Sequence, residues 1–195
     1  MNPVTLTTEN LILGQMQLTD LDAIVAAWSD PEIRRWTTVP VPGTREQARD
    51  FVLSTCEGGW EADHQYIFGV RTKNSVDLVG CSGIFGVSTV GRSESMAYIG
   101  CWTVKEQRGK GYTTEAVREL CRWAFSELDM VRIEGVGEVG NHASMAMVLK
   151  AGFQLEGTLR GRMKQDGTQR DAWLASLLPH DLGLLSAIPY LTPED

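Results

Sequence analysis

At 195 residues, with 43% apolar and 22% charged residues, the chain has the size and composition of one globular domain, residues 1–195, able to bury a core. Its net charge of −7 disfavours non-specific nucleic-acid binding and suits a cationic partner such as an amine. Four separated cysteines (Cys56, Cys81, Cys101, Cys121) without a CxxC pair, three scattered histidines and no apolar run near the ~18 residues of a membrane span leave no sign of a disulfide scaffold, a metal centre or a membrane segment. With no basic-then-apolar signal pattern at the start, the expectation is a reduced, cytoplasmic protein.

In chain order, Leu11 to Met16 reads as a first strand. Thr19, with Asp22 three residues on, reads as a helix cap. Leu21, Ile24, Val25 and Trp28 follow at helical spacing, and Pro31 marks the end. Pro40 to Gly43 is a loop, and Thr44 with Gln47 forms a capping box for a second helix, with Ala48, Phe51 and Val52 inward. Gln65–Arg71 and Leu78–Val87 read as strands joined by a turn at Lys73-Asn74. Met96–Val104 is the next strand. Thr114–Leu128 is the strongest helix, with Val117, Leu120, Cys121, Ala124 and Leu128 on one face. Val131–Val136 reads as a buried strand. Asn141 opens a helix that Gly152 closes. Phe153–Arg160 and Gln169–Leu178 read as a final hairpin. Helices alternating with strands predict an α/β protein. Trp28, Trp123 and Trp173 fall in core patterns, whereas Trp36 and Trp60 fall in or beside loops.

The richest segment joins the Met96–Val104 strand to the long helix: Arg108-Gly109-Lys110-Gly111-Tyr112-Thr113-Thr114. Glycines let backbone N–H groups approach a ligand, and the free amides of a helix start attract anions. Together they predict a phosphate cradle, with Arg108 and Lys110 adding charge. A Walker loop does not fit, because Val104 stands where its first glycine is required. A dinucleotide fingerprint fits at Gly109 and Gly111 but has Thr114 for its third glycine; Glu134, about 20 residues on, would be its ribose ligand. The pyrophosphate pattern R/Q-x-x-G-x-G/A of acyl-CoA N-acyltransferases fits except for Thr113 at the last place. A plain basic turn is the remaining reading.

Further motifs accompany the cradle. Asn141-His142-Ala143-Ser144 and Lys150-Ala151-Gly152-Phe153 follow it, and Thr8–Leu13, Asp30–Trp36 and Leu78–Gly86 precede it. In this order they resemble the GNAT acetyltransferase superfamily, and within it the RimJ/RimL-type group of ribosomal-protein N-terminal and antibiotic acetyltransferases. The resemblance implies an α/β (α+β) fold, a mixed, mostly antiparallel sheet of about seven strands with helices on both faces. It also implies transfer of an acetyl group from acetyl-CoA to a primary amine, on a small molecule or a peptide, without a metal, a nucleic-acid partner or a membrane. A homodimer is compatible with it.

By the same resemblance, the main chain of Trp102, Thr103 and Val104 would meet the pantetheine arm, where this strand splays from Val131–Val136. Amides from Gly109 through Tyr112 and Thr113 to Thr114 would take the pyrophosphate, beside Arg108 and Lys110. Asn141 would hold the cofactor arm; a plain helix cap is its other reading. Ser144 would protonate the departing thiolate, because Val148 stands where many relatives carry a tyrosine; a serine bonded back to a helix carbonyl is the other reading. The group's base is often a glutamate two residues before the strand glycine, where this chain has Tyr98. A tyrosine of pKa about 10 is a poor base at neutral pH. Tyr98 would then orient the amine, leaving Glu94, His142, His64 or a water chain to take the proton. Trp60 would either stack an acceptor or anchor its loop on the core. Another acyl-CoA donor and a CoA-binding regulatory module without turnover are the remaining alternatives.

Overall fold

The computed structural model describes residues 1–87, 95–165, 167–186 and 188–191. Its sheet is built from Leu6–Thr7 (β1), Leu11–Gln15 (β2), Gln65–Thr72 (β3), Leu78–Phe85 (β4), Met96–Thr103 (β5), Arg132–Glu138 (β6), Gln154–Gln165 (β7) and Thr168–Leu177 (β8). The order across the sheet is β1-β2-β3-β4-β5-β6-β8-β7. Every neighbouring pair is antiparallel except β5 with β6. The helices are Leu21–Ser29 (α1), Pro31–Trp36 (α2), Arg45–Asp50 (α3), Gly58–Glu61 (α4), Tyr112–Glu127 (α5) and His142–Ala151 (α6). A π-helical stretch, Phe51–Glu57, joins α3 to α4.

Both faces of the sheet are covered. Val117, Leu120, Cys121 and Ala124 of α5 are fully buried, as their spacing predicts, and pack with Leu11, Leu13 and Ile133. On the other face Ile24, Trp28, Ala48 and Val52 pack with Ile67, Leu78 and Cys81. Strand β3 serves both clusters by alternation: Tyr66 and Phe68 go to the first, Ile67 to the second.

Several expectations need correction. The sheet has eight strands, the extra one being two-residue β1, too short to carry a period of its own. Thr19 does not cap α1: a 3-10 turn, Leu18–Asp20, precedes the helix, and Asp20 accepts from Gln17 N–H at 2.8 Å and from Arg71 at 2.6 Å. Pro31 follows the end of α1 at Ser29, as expected, but it also opens a second helix that was not expected, because a residue without an N–H is harmless at the first helical position. Asp30 caps it, accepting from Glu32 N–H at 2.8 Å. Trp60 lies in α4, 1% exposed, with its ring against Tyr66, Phe68 and Trp123. It anchors the core and cannot stack an acceptor.

The capping box of Thr44 and Gln47 forms as its spacing predicts. Between β6 and β7, Arg132 holds Glu156 through two 2.8 Å contacts. Arg132, against burial and with help from the Ser176 hydroxyl, pulls the Glu156 pKa from 4.5 to about 2. A depressed folded pKa stabilises fully above the unfolded value and is lost as pH falls through the folded one. Stability is therefore expected to decline from about pH 4.5 towards pH 2, and Glu156→Gln should flatten that limb in acid-denaturation curves. An unchanged limb would assign the acid response to other carboxylates.

Candidate active site

Strands β5 and β6 pair only from Met96–Arg132 to Ile99–Gly135. Beyond that point Gly100–Thr103 stay paired with β4, and Val136–Glu138 with β8, so the two strands part inside the sheet. A cavity of about 1380 Å³ fills the split. Its walls include Ser144 and Val148 of α6 on one face and Trp36, Asp50 and Phe51 on the other, so it passes through the sheet.

The cradle stands at the end of the β5 arm. A 3-10 turn, Lys105–Gln107, leads to Arg108, then Gly109 at φ 77° and Gly111 at φ 84°, and α5 starts at Tyr112. Both glycines are left-handed, where a side chain is strained. Apart from their chain neighbours, no atom of the described residues lies within 4 Å of where a Cβ would stand at either, so the surface before them is open. The hydroxyls of Thr103 and Thr113 bond each other and tie the strand end to the first turn of α5. Arg108, Gly109, Lys110, Gly111, Thr113 and Thr114 line the cavity. This fits an anion held by amides with cations beside it.

Helix α2 lies across the mouth of the split and is fastened to both arms. On the cradle side, Arg108 bonds Asp30 Oδ2 at 2.8 Å and the Thr103 carbonyl at 3.1 Å. On the β6 side, Arg35 grips the buried Glu138 with contacts of 2.8 and 2.6 Å, and its guanidinium lies 4.0 Å over the Trp36 ring. Hydrogen bonds from Arg35, against burial, hold the Glu138 carboxyl below the usual range. Burial raises the Asp30 pKa, but the Glu32 N–H and the Arg108 charge outweigh it and keep it low.

Residues 10–154 match the family model described as Acetyltransferase (GNAT) domain. The chain belongs to the GNAT acetyltransferase family. The uncharacterized N-acetyltransferase p20 of Bacillus licheniformis is 30% identical over 91% of this chain and 97% of its own. The fold is similar to that of Mycobacterium smegmatis RimJ in complex with CoA-disulfide, with TM-score 0.81 and 21% identity over 94% of this chain and 92% of that one. It is also similar to the Microcin C7 self immunity acetyltransferase MccE in complex with acetyl-CoA and AMP, with TM-score 0.77 and 19% identity over 88% and 93%. The eight-stranded mixed sheet with helices on both faces is thus a GNAT fold, and the protein is an acetyltransferase.

In this GNAT chain the residues picked out by motif fall into three groups. The first lines the cavity: Trp102, Thr103, the cradle residues other than Tyr112, Asn141 and Ser144. Asn141 caps α6, its Oδ1 accepting from Ser144 N–H at 3.1 Å. The Ser144 hydroxyl makes no hydrogen bond among the described residues, so the back-bonded reading is not realised. The second group contributes from behind the wall. Val104 has both main-chain groups engaged, its N–H by the Val79 carbonyl and its carbonyl by Gln107 N–H, each at 3.0 Å. A contact of Val104 with the cofactor arm would therefore fall to the second lone pair of its carbonyl. The Tyr112 side chain packs on the core.

The third group stands apart. Tyr98 lies on the face of α1 to α3, opposite Phe85 and beside Glu134, 39% exposed. The cavity wall reaches Phe85 and Ile99 but not Tyr98. His64 and His142 are exposed and off the wall. Glu94 lies outside the described residues.

The sequence reading missed Glu32 and Asp50, the carboxylates on the wall among the described residues. Their helical faces carry Gln47, Asp50 and Ser54 beside apolar residues, which in sequence looks like an ordinary solvated face. Among the described residues no group of three or more His, Cys, Asp or Glu could hold a metal, and no helix is long and apolar enough to cross a membrane.

Proposed function

We propose that this enzyme transfers the acetyl group of acetyl-CoA directly to a primary amine of a small molecule or peptide. One observation carries the reading: the β5–β6 split opens without interruption onto the glycine cradle. A pyrophosphate sits on the amides from Gly109 to Thr114, and the main chain of Trp102 and Thr103 meets the pantetheine arm as an added strand would. The arm then runs past Asn141 and brings the sulfur to Ser144, whose free hydroxyl protonates the leaving thiolate. RimJ and MccE, solved with CoA-disulfide and acetyl-CoA, support the donor. Glu32 and Asp50 on the helical wall suit a cationic acceptor. Titration calorimetry should show acetyl-CoA binding that CoA competes for and NAD does not. Competition by NAD would return the cradle to the dinucleotide reading.

Tyr98 stands off the cavity wall but on the acceptor face, next to the wall residues Phe85 and Ile99, and from there it orients an amine that extends past them, while the ammonium proton leaves through water. Tyr98→Phe should then raise the acceptor KM more than it lowers kcat, the pattern of lost binding. Loss of a basic limb that the wild-type pH–rate profile shows would instead make Tyr98 the base.

A further inference from the structure

Arg108 has two claimants. It lines the cavity beside Gly109 and Gly111, where the donor's pyrophosphate is placed in the reading above, on which this inference rests. Yet its guanidinium already bonds Asp30 Oδ2 at 2.8 Å and the Thr103 carbonyl at 3.1 Å. Asp30 is the residue from which α2 starts, and Glu32, Ile33 and Trp36 of that helix form part of the acceptor wall. The other end of α2 is fixed independently to β6 by Arg35 and Glu138. One cation therefore ties the donor cradle to one end of the acceptor wall, while the anchor at the other end, Arg35 with Glu138, lies outside the cavity lining.

We propose that Asp30 is a positioning residue that competes with the donor's pyrophosphate for Arg108, so that donor binding releases the Asp30 end of α2 and resets the acceptor wall. The chemistry of the pair supports the exchange. A guanidinium offers five N–H donors in a planar fork that fits carboxylate and phosphate alike. A diphosphate carries more charge than the carboxylate it displaces, and amides at the start of α5 are already aimed at it. Asp30 loses little when released, because it still accepts from Glu32 N–H. The free energy spent on breaking the pair must appear in both binding events, since coupling between sites is reciprocal.

The test uses the full chain and Asp30→Asn, which keeps the helix cap because asparagine caps as well as aspartate. Calorimetry with acetyl-CoA should show tighter binding by Asp30→Asn, roughly threefold to tenfold, since the competitor has lost its charge. A gain in affinity is not what a merely structural defect produces. Hydrogen exchange on the wild type supplies a second reading that needs no variant: amides of Arg34 and Thr37, which bond Asp30 and Ile33 carbonyls, should exchange faster once CoA is bound. In Asp30→Asn they should exchange fast from the outset, with little further change on CoA binding. Unchanged or weaker acetyl-CoA binding by the variant overturns the inference, as does wild-type exchange across α2 that CoA leaves alone or slows. A wild type that does not bind acetyl-CoA overturns the transferase reading and this inference together, so the two failures are told apart.

Discussion

Gly111→Val is expected to weaken acetyl-CoA binding at least tenfold, which is about 1.4 kcal/mol. Gly111 sits at φ 84° as the residue before α5. A β-branched residue there is strained by an amount of order 1–3 kcal/mol and tends to pull the turn out of shape. The amides of Tyr112 to Thr114 would then no longer point together at the anion. The substitution has room in the protein, since apart from the chain neighbours no atom of the described residues lies within 4 Å of the added Cβ. The space it fills is the open surface of the cradle. Calorimetry on a folded variant checks this, and unchanged affinity would remove the cradle from the account.

Ser144→Ala is expected to lower turnover roughly a hundredfold, the low end for general acid catalysis, while acetyl-CoA affinity stays about the same. The hydroxyl bonds to no described residue, so its removal should leave the fold intact. Alanine also favours the helix interior more than serine does. A lower kcat with an unchanged or raised melting temperature therefore separates chemistry from stability. Turnover within about threefold of wild type would mean that the thiolate leaves unaided or finds another acid.

Gly109 and Gly111 were readable as a cradle because glycine and helix-start chemistry are local properties of the chain. Asn141 as a cap and the buried face of α5 were readable for the same reason. The split between β5 and β6 was expected only through the family resemblance, since where two strands stop pairing depends on register, which neither strand encodes alone. The clamp on α2 was hidden too: Asp30–Arg108 and Arg35–Glu138 join residues 78 and 103 positions apart. Of the two readings of Trp60 the core anchor holds, but its element was misread because the adjoining Gly58-Gly59 reads as a loop, whereas the structure continues the helix through both glycines and buries the ring. Pro31 was rightly read as following a helix end, but the helix that it starts was not legible, because proline serves helix ends and helix starts alike and only the Asp30 cap marks the second role.

The central claim is direct acetyl transfer from acetyl-CoA to an amine through the β5–β6 split. Its most direct test is CoA thiol release from acetyl-CoA across a panel of primary amines, with the products identified by mass spectrometry. The account predicts release that depends on the amine, N-acetylated product in equal amount, and a roughly hundredfold slowing of both in Ser144→Ala. Tight binding of acetyl-CoA with no amine-dependent release anywhere on the panel would contradict it and leave a CoA-binding module in its place.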